Sequence, residues 1–118
     1  MNVEKVVKEL KTLHPGKNIV LNTPEHTTEI ICELDPVSQK EAIAVIDYSA
    51  KHYHEFFTEI YEVLKGTLII YMENHEVKLE KGDRFEMKPG VVHYAKGDET
   101  WIKVYSDPGW SKKDHILV

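Results

Sequence analysis

The sequence predicts an all-β sandwich or barrel preceded by one short helix. From Gly16 onward, short runs rich in Ile, Val, Thr and Tyr alternate at regular spacing with clusters of turn residues. Before Gly16 the period is different: Val3, Val6, Val7 and Leu10 recur at helical spacing. The length, 118 residues, fits a single domain spanning 1–118. Folding a chain of this size buries roughly two thirds of its unfolded surface. Neither a disulfide nor a structural metal is then needed for stability, so any metal bound here serves function.

Along the chain, the helix covers about residues 2–14, with Asn2 as its N-cap and Pro15-Gly16 as its stop. Its apolar stripe is narrow, which suits a helix laid across the outside or one end of the domain. The strands follow as NIVL, TTEIICEL, EAIAVIDYS, EIYEVL, TLIIYM, HEVKL, RFEMK and TWIKVYS. NTPE, DPVSQ, KGT, ENHE, EKGD, KPG and KGDE separate them and read as turns. Cys32 sits among apolar neighbours and reads as a small buried residue. The tail SDPGWSKKDHILV places Trp110 between turn residues and charges, where it covers the barrel edge or mouth or packs on a second subunit.

Composition excludes several classes of function. The formal charge is −5, from 15 basic and 20 acidic residues, and no basic stripe stands ready for a phosphate backbone, so no nucleic-acid partner is expected. The N-terminus carries charges throughout and is no signal peptide, and no run is long enough to span a membrane. With one cysteine and hence no internal disulfide, a reducing, cytoplasmic location is the expectation.

The chemistry concentrates in HYHEFFTEIYEVLKG, residues 52–66. Residues two apart on a strand face the same way, so His52 and His54 present two imidazoles on one face. A turn through FFT returns Glu59 on the neighbouring strand, and Gly66 allows the tight turn that follows. Downstream, GDRFEMKPGVVH turns at Pro89-Gly90 and delivers His93. If both turns sit at one barrel end, three imidazoles and a carboxylate meet, a set that suits Mn, Fe, Co, Ni, Cu or Zn and leaves open positions for a small molecule.

These two segments resemble the paired motifs of the cupin superfamily, G(X)5HXH(X)3-4E(X)6G and G(X)5PXG(X)2H(X)3N. The likeness covers about residues 46–97, with a short stretch between the motifs as in small single-domain cupins of the cupin 2 type. Ile46 replaces the opening glycine, Lys88 the first proline, and Gly97 the closing asparagine. None of these is a ligand position. The resemblance implies a double-stranded β-helix, or jelly-roll, barrel with His52, His54, Glu59 and His93 as ligands of a divalent transition metal, and a homodimer. Glu55 and Glu62 are rival carboxylates, Glu62 facing away if its strand is regular. Tyr61, Met72, Phe85, Met87, Tyr94 and Trp101 are candidate pocket liners, while His14, His26, His75 and His115 read as surface or tail residues.

The implied activity is a metal-dependent enzyme on a small polar substrate, either an isomerase of sugars or sugar phosphates or a dioxygenase. The alternative is a module that binds metal or a small ligand without turnover. An isomerase needs a base beyond Glu59: Glu55, His26 or a metal-bound hydroxide would have to serve. A phosphate site has only Arg84 and Lys103 to draw on.

Overall fold

In the computed structural model, which describes residues 1–118, the helix is α1 (Val3–Leu13). Nine strands follow: β1 Asn18–Leu21, β2 Glu29–Glu33, β3 Glu41–Tyr53, β4 Thr58–Lys65 and β5 Thr67–Met72 come first. Then come β6 Glu76–Glu80, β7 Arg84–Met87, β8 His93–Asp107 and β9 Ile116–Leu117. A single 3-10 turn, Lys112–Asp114, precedes β9. Asn2 caps α1 as expected, its side chain accepting from the Lys5 N–H at 3.2 Å.

The helix buries Val6 and Leu10 against Ile30, Cys32, Ile43, Val45 and Trp101, on the outer face of β2, β3 and β8. Strand side chains alternate between faces. With Ile30, Cys32, Ile43 and Val45 turned to the helix, Glu29, Ile31, Ala44 and Ile46 must turn into the barrel. There Ala44 and Ile46 join Tyr61, Val63, Leu68, Ile70, Met87 and Ile102 in the main core. Gly66 makes the turn from β4 to β5 at φ +91°, the left-handed region where a side chain would be strained.

β8 is the axis of the architecture. The main path runs β1-β2-β3-β8-β4-β7, β5 also pairs with β8, and β6 and β9 add to β5 and β3. Every pairing is antiparallel. The first part of β8, residues 93–96, pairs with β5, and the second, residues 101–107, pairs with β4. β3 runs along the other side of both parts. The result is a double-stranded jelly roll whose strand path is not closed.

One expected turn is absent. KGDE, residues 96–99, is a kink inside β8, so His93 and TWIKVYS belong to a single strand of 15 residues. The register against β3 slips between Ile46 and Tyr48, and Glu99 takes a left-handed φ of 46°. A bulge draws on the same Gly and Asp residues as a turn, which is why composition does not separate them.

The kink also accounts for Gly97, which stands where the motif leads one to expect asparagine. A Cβ at this position would lie 2.4 Å from Thr100 Oγ1 and 2.7 Å from the Ile46 carbonyl oxygen. Thr100 cannot yield freely, because its hydroxyl donates to the Thr67 carbonyl at 2.6 Å. Gly97→Ala should therefore destabilise the protein by about 1–3 kcal/mol, read as a lower denaturant midpoint; an unchanged midpoint would show that the kink relaxes without cost.

Candidate metal centre

β3 and β8 set His52 directly opposite His93 in register. His54 is the first residue past the end of β3. The turn at 55–57 reverses the chain into β4, which delivers Glu59 between Met87 of β7 and Ser106 of β8. All four side chains are buried, and one ligand atom from each lies within 4.8 Å of all the others. The Gly90 N–H donates to the His54 carbonyl at 2.6 Å, tying the turn that precedes His93 to the first histidine pair.

Backbone carbonyls orient all three imidazoles. His52 Nδ1 lies 2.7 Å from the Ala50 carbonyl oxygen, His54 Nδ1 2.8 Å from that of Asp114, and His93 Nδ1 2.9 Å from that of Val91. A carbonyl only accepts, so each Nδ1 carries the hydrogen and each neutral ring offers its Nε2 lone pair. The Tyr61 hydroxyl donates to His93 Nε2 at 3.2 Å. His54 Nε2 stands 3.5 Å from Glu59 Oε2, an ion-pair distance without hydrogen-bond alignment. His54 Nε2 and Glu59 Oε1 are buried with no hydrogen-bond partner. Buried polar atoms are rarely left so, and a cation between them would satisfy both. The donor set therefore fits a divalent transition metal.

The electrostatics favour neutral rings at His52 and His93 beside an anionic Glu59, whereas His54 is shifted toward its charged form. Burial, the main cause, pushes His52 and His93 down to about 4, helped at His93 by the neighbouring His52. Burial opposes charge on His54 as well, but the adjacent Glu59 carboxylate and the Asp114 carbonyl outweigh it and raise this residue. Burial alone would raise Glu59; His54, then Tyr61 and His93, overcome it and hold the carboxyl below its ordinary value. Burial, and then the Glu59 charge, drive the Tyr61 phenol well above its usual range.

The centre opens onto a cavity of about 260 Å³. Val20, Asn22, Glu29, Ile31 and Glu33 from the β1–β2 side line it, with Glu59, Tyr61 and Ile102 from the barrel and Trp110 and His115 from the tail. No lysine or arginine is among the lining residues. Glu29 is the carboxyl that sequence reasoning missed: burial, then the charge of Glu59, raise it to about 7. His115, read as a tail residue, instead stacks on His52 with centroids 4.3 Å apart and planes at 22°.

The other candidates lie elsewhere. Glu55 and His26 are exposed and line no part of the cavity, so neither fills the role of base. Glu62 faces away, as its register required, and accepts from Arg84 at 3.2 Å and from the Tyr105 hydroxyl at 3.1 Å. Lys103 is paired with Glu41 at 3.0 Å. Of the six expected liners only Tyr61 reaches the cavity. Met72, Phe85 and Met87 belong to the main core, Trp101 packs toward the helix, and Tyr94 stacks on Tyr71.

Comparison with known proteins agrees with this architecture. Over 58 residues the chain is 29% identical to quercetin 2,3-dioxygenase of Bacillus subtilis (strain 168), a stretch that is 49% of this chain and 17% of that protein. The chain thus spans a small part of that relative's length. Among solved structures it is similar to a nucleoside dehydratase from Streptomyces, with a TM-score of 0.76 at 11% identity, covering 89% of this chain and 87% of the other. It is also similar to a cupin-2 domain containing protein from Shewanella frigidimarina, with a TM-score of 0.56 at 16% identity over 92% and 93% of the two chains. At these identities the likeness shows the fold. The Cupin domain family matches residues 41–102, just over half of the chain and all four clustered residues included, so this protein belongs to the cupin family.

Proposed function

We propose that this cupin is a metal-dependent enzyme acting on a small, uncharged polar molecule, with His52, His54, Glu59 and His93 as the metal ligands and Glu29 as acid–base. The observation that carries the reading is the pair of buried, unpartnered atoms, His54 Nε2 and Glu59 Oε1, at a cluster that opens onto a cavity. A bound divalent ion would supply Lewis-acid polarisation of a substrate oxygen, or one-electron chemistry in the case of iron, nickel or copper.

The chain's own residues supply the rest. Glu29, held near 7, is partly ionised at neutral pH and can take a proton from a substrate carbon and return it to a neighbouring one. Isomerisation by proton transfer through an enediol requires that service. Burial, the larger cause of its raised value, does not depend on the charge of Glu59. A sugar phosphate finds no basic side chain here, because the walls carry carboxylates and no lysine or arginine, and Arg84 and Lys103 are already paired. An uncharged polyol or carbonyl compound meets no such repulsion. A cytoplasmic location and a homodimer are part of the same reading.

A second reading, oxygenation of a small organic molecule, is favoured by the similarity to quercetin 2,3-dioxygenase. Turnover of a substrate, by solvent-deuterium uptake for isomerisation or by oxygen consumption for oxygenation, separates both from binding without turnover.

Protein purified without tag or chelator should carry close to one equivalent of a transition metal by elemental analysis. His54→Ala should lower that content sharply with an unchanged far-UV circular dichroism spectrum, whereas Glu62→Gln should leave it intact. No metal, even after reconstitution with each divalent ion in turn, would overturn the reading.

Among uncharged aldoses and ketoses, a substrate should take up solvent deuterium in the presence of loaded enzyme, and Glu29→Gln should slow that uptake by about 10²–10⁴-fold. The same variant should keep its metal. Uptake at the wild-type rate would remove Glu29 from the mechanism.

The metal-free protein should also show a specific acid sensitivity. His52 and His93 are held at about 4 against an ordinary 6.5. Between those values the unfolded chain binds more protons than the folded one, so each contributes stability that is present above pH 6.5 and lost as the pH falls toward 4. His93→Gln should remove one such share, on the order of 2 kcal/mol between neutral pH and pH ~4.5, in urea unfolding curves. A pH dependence equal to that of the wild type would contradict a buried, neutral His93.

A further inference from the structure

We infer that Asp114, in the C-terminal segment, is a positioning residue of the metal centre. Its carboxylate clamps the turn between two ligands while its carbonyl fixes the ring of His54. The inference rests on the metal reading above.

Asp114 lies outside the segment matched by the family and 60 residues beyond His54. It is buried, at 5% exposure, and a buried carboxylate ordinarily needs a cation. Three backbone N–H groups take that role: Glu55 at 2.6 Å, Phe56 at 2.9 Å and Phe57 at 3.2 Å. Charge-assisted bonds of this kind are among the stronger ones in proteins. The three donors are consecutive and make up the turn that separates His54 from Glu59.

The same residue reaches the centre a second time. Its carbonyl accepts from His54 Nδ1–H at 2.8 Å, which sets the ring plane and turns Nε2 inward. Asp114 is itself held in place, since β9 pairs with β3 at His52↔Leu117 and Tyr53↔Ile116. The Val118 N–H donates to the Lys51 carbonyl at 3.1 Å, and the Trp110 N–H to the Gln39 carbonyl at 2.8 Å.

The test is Co(II) affinity, measured by chelator competition on the full chain, with the cobalt d–d spectrum as a second readout. Asp114→Ala should weaken binding about 10–100-fold and alter the spectrum. Asp114→Asn, which keeps one acceptor oxygen, should recover part of the loss. In a His54→Ala background, adding Asp114→Ala should cost less affinity than it does in the wild type, because one of the two ligands that the clamped turn positions is then absent. Wild-type affinity in Asp114→Ala, or an equal loss with and without His54, would overturn the proposal. If Asp114→Ala does not fold, Asp114→Asn decides, and an unchanged affinity there overturns it. Wild-type protein that binds no Co(II) would fail the metal reading itself, a result distinct from a wild type that binds beside a variant that binds equally well.

Discussion

A carboxylate and three imidazoles sharing one dry corner of a protein is an expensive arrangement, and the architecture is organised around making it tolerable. Glu59 keeps its charge below the surface because His54 stands beside it and Tyr61 and His93 lean the same way. The imidazoles, in turn, aim one nitrogen at the carboxylate only because the other is held by a carbonyl of Ala50, Asp114 or Val91. Two of those carbonyls are local to the strands that carry the histidines. The third comes from the far end of the chain, so the corner is complete only once the tail has docked. Strand order follows from the same constraint, since His52 and His93 meet only if β3 and β8 are neighbours.

Much of this was legible in the amino-acid order. The period-2 runs, the turn residues between them and the spacing HYHEFFTE are local signals, and they locate the helix, most strands and the four clustered side chains. Strand parity alone puts Glu62 on the face opposite Glu59, where it meets Arg84 and Tyr105. What was not legible is what depends on distant partners. The kink at 96–99 reads as a turn because a bulge and a turn ask for the same flexible, polar residues, and only the continuous pairing with β3 shows that the strand goes on. His115 and Asp114 had no local pattern at all. Their roles exist only through pairing of the tail with β3 some sixty residues earlier.

Glu29 shows a subtler failure. In TTEIICEL the alternation itself was visible, and the ordinary rule sends the apolar face inward and the carboxylates to water. Here the helix occupies the outer side of β2 and takes Ile30 and Cys32 for itself. The polar face of the strand is thereby forced into the barrel, where Glu29 and Glu33 become cavity wall. A short amphipathic helix, which could be dismissed as mere packing, reverses the polarity of the strand beneath it and creates the chemical character of the interior.

The two ends of the chain both line the cavity, yet they are not equally free to change. The β1–β2 hairpin meets the rest of the sheet only along β3, and none of the three carbonyls that orient the histidines belongs to it. Residues such as Val20 and Glu33 can therefore be exchanged to reshape what the cavity admits without disturbing the corner behind it. The tail has no such licence: the segment that offers Trp110 and His115 to a ligand also carries Asp114. Divergence of this scaffold toward new ligands should accordingly run through its first third, with the last residues changing slowly for reasons unrelated to what they touch in the cavity.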